Sequence, residues 1–148
     1  MSAENTKYQV LYDSVLAKIK DYDLLEMTEE EANGVLFDYI RPSIVRFQSC
    51  KKNLSCRKDD VQEFDFTLTD QEIEILASFM VVEYLDANYI RVPSALKQIL
   101  SSRDFNTFSP ANLLAKTKEM RERYYEEAKQ LMRDYSYFGS KLFSRLED

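Results

Sequence analysis

Between Thr69 and Ile90 the chain reads TDQEIEILASFMVVEYLDANYI, and apolar side chains recur on nearly every side of the helix this stretch would form. Ile73, Leu76, Met80, Tyr84 and Ala87 make one stripe, while Ile75, Phe79, Val82 and Leu85 cover the adjacent flank. A helix apolar around most of its circumference has to be enclosed by other helices or by other subunits. Thr69 followed three residues later by Glu72 has the form of a capping box, which marks the start. This segment is predicted to be the centre of the core.

The remaining pattern is also helical. Tyr8, Leu11, Tyr12, Val15, Leu16 and Ile19 recur at three-to-four spacing and predict an amphipathic first helix over 7–20. DYDLLEM interrupts it. A second helix is predicted from Thr28, with Glu31 in the capping-box position, through Ala32, Val35, Leu36, Tyr39 and Ile40. Pro42 lies inside this run and predicts a kink or restart, with Ile44, Val45 and Phe47 carrying on. Residues 48–63, QSCKKNLSCRKDDVQE, are polar and charge-dense, and are expected to form the longest surface loop and the segment best suited to mobility. Phe64, Phe66 and Leu68 alternate with polar residues, as either a short extended segment or a staple onto the core helix does.

Val92-Pro93 ends the central pattern, SALKQIL suggests a short helix, and Ser109-Pro110 has the residues of an N-cap and a first helical position. Leu113, Thr117, Met120, Tyr124, Ala128, Leu131, Tyr135 and Phe138 then follow at nearly heptad spacing. From Pro110 to Phe138 such a helix reaches ~40 Å at 1.5 Å per residue, more than a small core needs. Part of it is expected to project or to pack against another subunit. The fold class predicted is all-α: one domain over 1–148, a helical bundle of about four main helices with a buried central helix and a long C-terminal one.

Composition narrows the function classes. Two glycines and three prolines beside ten tyrosines and nine phenylalanines favour helices and aromatic contacts over hairpins. The net charge of −6 is the wrong sign for a dedicated nucleic-acid binder, although an acidic wall that holds phosphate only weakly suits a conduit. No apolar run approaches the ~20 residues that span a bilayer, and MSAENTKYQV lacks a basic start and an apolar segment, so neither membrane insertion nor a signal peptide is expected.

The chain has no histidine, which removes the commonest general base, the Ser-His and Cys-His nucleophile pairs, and imidazole metal sites. Gly34 and Gly139 stand alone, so there is no glycine-rich phosphate loop. Cys50 and Cys56 bracket KKNLS, but a tetrahedral zinc site needs four ligands, and the two thiols are expected to be free. Glu29-Glu30-Glu31 and Asp59-Asp60 sit where acidic residues stabilise a helix start or solvate a loop. The expectation is no catalytic, cofactor or metal residue. The basic members of the polar run, Lys51, Lys52, Arg57 and Lys58, with Arg41 and Arg46 before them, are candidates to touch phosphate or an acidic partner, against the commoner reading of a solvated face.

The succession of kinked helix, loop, buried helix and long last helix, with the wording EIEILASFMVVEYLDANYIRVPSALKQILSSRDFNTFSPANLL and AKQLMRDYSYF, resembles the head-tail connector (neck, adaptor or head-completion) proteins of long-tailed bacteriophages over residues 8 to 138. The resemblance implies a non-enzymatic structural subunit of the virion, monomeric until it meets the portal and then forming a ring, usually of twelve copies. That ring completes the head, continues the DNA channel towards a tail or stopper protein, and lets double-stranded DNA pass without reading it. Localisation would be the virion neck, with assembly in the host cytoplasm.

Tyr124, Tyr125, Leu131, Tyr135, Tyr137 and Phe138 are the candidate partner interface, because aromatic residues concentrate at interface centres. The competing reading is that half of them pack on the protein's own core. Two other function classes share this composition: a cytoplasmic helical adaptor or regulatory protein that binds one protein partner, and an enzyme working through Asp, Glu, Tyr or Lys.

Overall fold

The structure, a computed structural model, describes residues 4–19, 24, 26–90 and 110–147, with the side chains of 89–90, 110–113 and 138–147 outside the description. Its order is α1 (Tyr8–Lys18), α2 (Glu29–Phe37), α3 (Ile40–Arg46), β1 (Arg57–Lys58), β2 (Glu63–Phe64), α4 (Asp70–Leu85), a π-helical turn (Asp86–Ile90) and α5 (Pro110–Glu147). The all-α class holds, with one small antiparallel hairpin added. SALKQIL and the Ser109 cap lie outside the described residues.

α4 is the hub of the packing, in contact with α1, α3 and α5. Eleven of its sixteen residues are buried, from Glu72 to Leu85. The Thr69 hydroxyl accepts from the Glu72 amide at 3.2 Å, and the Glu72 carboxylate accepts from the Thr69 amide at 2.8 Å, so the capping box closes in both directions. At the other end the helix widens into the π turn, where Asn88 donates to both the Tyr39 hydroxyl and the Tyr84 carbonyl at 2.9 Å. Thr28 caps α2 by accepting from the Glu31 amide.

The break expected at Pro42 falls earlier, at Asp38-Tyr39. A proline inside a helix leaves the carbonyl four residues before it unpaired and clashes with it, and for Pro42 that carbonyl is Asp38's. By restarting at Ile40 the chain puts Pro42 in the first turn of α3, where its missing N–H has no intrahelical partner to lose.

Residues 48–63 carry more order than their polarity forecasts. Leu54 is buried, and β1 pairs with β2 through Arg57 with Phe64 and Lys58 with Glu63. Lys7 bridges Glu63 from the other side, so three short extended segments lie together beneath the start of α1. EFDFTL is thus extended at its start, and Phe64 is wholly buried with its ring edge-on to Tyr8 at 5.0 Å. The hairpin closes through Gln62 in the left-handed region, φ 54°, unusual for a residue with a Cβ. Three bonds hold it there: its carbonyl accepts from the Tyr8 amide and its side-chain oxygen from Tyr12, while Tyr8's own hydroxyl donates to Asp59 at 2.5 Å across the turn.

Candidate functional site

α5 is 38 residues long, ~57 Å at 1.5 Å per residue, and its pairing with α4 is the most extensive among the described elements. Two polar clamps set the register. Near the start, Arg121 grips Asp86 with two nitrogens at 3.0 and 3.2 Å; further on, the Tyr135 hydroxyl donates to Glu72 at 2.7 Å. Glu72 lies fourteen residues before Asp86, the residue that follows the last turn of α4, and Arg121 and Tyr135 are fourteen apart on α5, so the two helices run antiparallel in step. Midway between the clamps this register sets the small, fully buried Ala128 opposite Phe79. It also aligns Asp70, the first residue of α4, with Tyr137, so residues 138–147 of α5 run past the end of their partner helix.

The six candidate interface residues fall into three groups. Tyr135 is buried, edge-on to Phe47 at 5.2 Å, and accepts the Lys51 amide at 2.9 Å as it donates to Glu72. Tyr124 donates to the Lys18 carbonyl at 2.9 Å, Leu131 packs on the core, and Tyr125 stands edge-on to Phe79. Around the Tyr125 ring sit the cations of Lys129, Arg121 and Arg46, at 4.5, 4.8 and 5.6 Å from its centroid. These four side chains serve the chain's own fold. Tyr137 is 57% exposed, and the Phe138 side chain lies outside the described residues. The buried stripe of α5 is also turned slightly from the predicted one: Met120 is exposed, and Arg121 takes its place against Asp86. Those bonds hold the Arg121 pKa above its ordinary value.

Glu72 is the feature that pattern reading undervalued. Its position as a helix cap was legible, but its side chain is only 1% exposed and accepts from Lys52 at 2.6 Å, the Thr69 amide, Tyr135 and the Cys50 thiol at 3.6 Å. Burial pushes its pKa up, but the hydrogen bonds from Lys52, Thr69 and Tyr135 and the charge on Lys52 outweigh burial, so the carboxyl is held below its ordinary value. Tyr135 is displaced the other way, by burial first and by its bond to this anion second. Burial also raises the Cys50 thiol, which leaves little thiolate for nucleophilic chemistry. Cys56 is exposed and free.

The basic residues of 41–58 are mostly spoken for. Lys52 pairs with Glu72, Arg46 with Glu83 at 2.6 Å, Arg57 with Asp59 at 3.3 Å, and Lys58 with Asp65 at 3.8 Å. Their charges are matched within the chain, which weakens the case for a phosphate-binding face. A cleft of about 180 Å³ lies between the α2–α3 break and the hairpin, lined by Phe37, Asp38, Ile40, Arg41, Arg57 and Asp59. Two guanidinium groups and two carboxylates face one another there, so a ligand of single charge gains from one pair what it loses to the other. Glu29, Glu30 and Glu31 occupy the first turn of α2, where the helix dipole favours negative charge.

Among the described residues, no three of Cys, Asp and Glu converge to hold a metal ion, and no helix is long and apolar enough to cross a membrane. Compared with protein-family models, with curated proteins and with solved structures, the chain matches none.

Proposed function

We propose that this chain is a structural, non-enzymatic subunit of the phage neck: it docks on the portal, closes with other copies into a ring, usually of twelve, and extends the DNA channel towards a tail or stopper protein. The observation that carries the reading is the overhang of α5. A helix that outruns its intramolecular partner by ten residues, 138–147, has backbone length that α4 does not use, as expected of an element that meets another subunit. The resemblance supplies the identity of the partner. The acidic balance, net −6, accords with DNA that passes without being held.

The interface is assigned to residues 138–147 of α5, the part that runs past α4, since Tyr124, Tyr125, Leu131 and Tyr135 are engaged in the fold. The test is co-sedimentation and electron microscopy of portal rings mixed with full-length protein or with a chain truncated after Tyr137. The cut is placed there to keep Tyr135 in its core position. Full-length protein is expected to decorate portal rings, and the truncated form to stay folded by circular dichroism while losing that decoration. Equal binding by both forms moves the interface elsewhere, and binding by neither favours the cytoplasmic adaptor.

A further inference from the structure

Glu72 is a buried anion on which three separated segments converge. α4 contributes the carboxylate and the Thr69 cap, the strap Cys50–Lys52 contributes a thiol and an ammonium, and α5 contributes the Tyr135 hydroxyl. The strap and α5 are also joined directly. The Lys51 amide donates to the Tyr135 oxygen at 2.9 Å, and the Lys51 ammonium lies 5.3 Å from the centre of the Tyr135 ring.

We propose that Glu72 and Tyr135 form a catch through which the Cys50–Lys52 strap and the Leu131–Tyr137 part of α5 open and close as one unit. The reason is the cost of partial opening. If α5 lifts away alone, the strap loses the acceptor of its Lys51 amide, and a carboxylate shut off from water is left short of a donor. If the strap lifts away alone, the same carboxylate loses its only described ion-pair partner, Lys52, and the Tyr135 ring loses the cation beside it. Either departure weakens what holds the other, and coupling of this kind is reciprocal. The lowered pKa of Glu72 agrees with an anion that its donors stabilise jointly. The inference does not depend on what binds α5.

Backbone amide exchange, followed residue by residue by nuclear magnetic resonance on the full chain, tests it. Tyr135→Phe removes one hydroxyl and keeps the ring. It is expected to speed exchange at least about ten-fold at the Cys50 amide, which bonds to Phe47 and not to Tyr135. Lys52→Met, at the other end of the catch, is expected to speed exchange by a similar factor at Leu131–Tyr137, a segment to which Lys52 is joined through Glu72 and Tyr135. α1 amides from Tyr12 to Lys18 should stay unchanged in both variants. In the unsubstituted protein under mild urea, amides of the two segments should share one opening curve. Effects confined to the substituted segment, equal acceleration in α1, or separate opening curves for the two segments would each overturn the proposal.

Discussion

Ala128→Leu is the sharpest test of the antiparallel register. The methyl of Ala128 is wholly inaccessible and lies opposite Phe79, midway between the Arg121–Asp86 and Tyr135–Glu72 clamps. Each clamp is seven residues away, ~10 Å along the helix, so α5 cannot swing outwards at its middle without bending or releasing one of them. Replacing methyl by isobutyl at such a point forces side chains off their rotamers, and overpacking of this kind costs about 1–3 kcal/mol. Alanine and leucine are both strong helix formers, so propensity contributes little to the difference. In a domain of this size the loss corresponds to a fall of about 3–10 °C in Tm. Thermal and urea melts followed by far-ultraviolet circular dichroism measure it. Ala115→Leu, at an exposed position of the same helix, is the control and should stay within about 0.5 kcal/mol of the parent. If Ala128→Leu proved as stable as Ala115→Leu, α4 and α5 would not approach closely at Phe79, and the register deduced from the clamps would be wrong.

Three further outcomes are expected. Met80→Ala empties a fully buried site on α4 and should cost about 2–5 kcal/mol in urea melts, with a loss below ~0.5 kcal/mol showing that the helix is not the core. Because the folded pKa of Glu72 is lowered, its contribution is complete above the ordinary carboxylate value of about 4.3 and disappears as pH falls through the folded value; Glu72→Gln should start less stable and show a flatter acid limb in urea midpoints measured against pH. Tyr8, Tyr12, Tyr39 and Tyr135 are raised, burial being the first cause in each, so their contribution is complete below about 10 and is lost as pH rises beyond it. Alkaline difference spectra should therefore show a tyrosine class that ionises only as helicity collapses, and a smooth titration of all ten tyrosines near 10 would refute their burial.

The central helix was legible because nothing local competes with its pattern: the capping box, the apolar circumference and the length all agree. α5 was legible as a helix, but its inner face was misplaced at one position, since an arginine that bonds a buried aspartate scores as polar while doing the work of a core residue. Arg121 inside and Met120 outside are the inversion that results. The 48–63 run is exposed along most of its length, as its polarity forecasts, but what anchors it was hidden for a related reason. Its anchors are Lys52, Asp59 and Gln62, polar residues whose partners Glu72, Tyr8 and Tyr12 lie far off in sequence, and no periodicity announces a bond between them. Glu72 was visible as a cap and invisible as a junction, because a cap is a local fact and a junction depends on tertiary proximity. For the aromatic residues of α5 the sequence left two readings open, a docking surface and the chain's own core, because burial and not residue type decides what a tyrosine does.

The matched spacing of the two clamps also sets where α5 tolerates a change of length. One residue inserted between Arg121 and Tyr135 turns everything beyond it by about 100° and advances it by about 1.5 Å, which carries Tyr135 off Glu72 while Arg121 stays on Asp86. A deletion there does the same in the opposite sense, and no sliding of the helix restores both ends at once. Beyond Tyr137 there is no facing residue of α4 to lose step with, so a change of length there leaves both clamps in place. The clamped segment is thus a fixed-length gauge between α4 and α5.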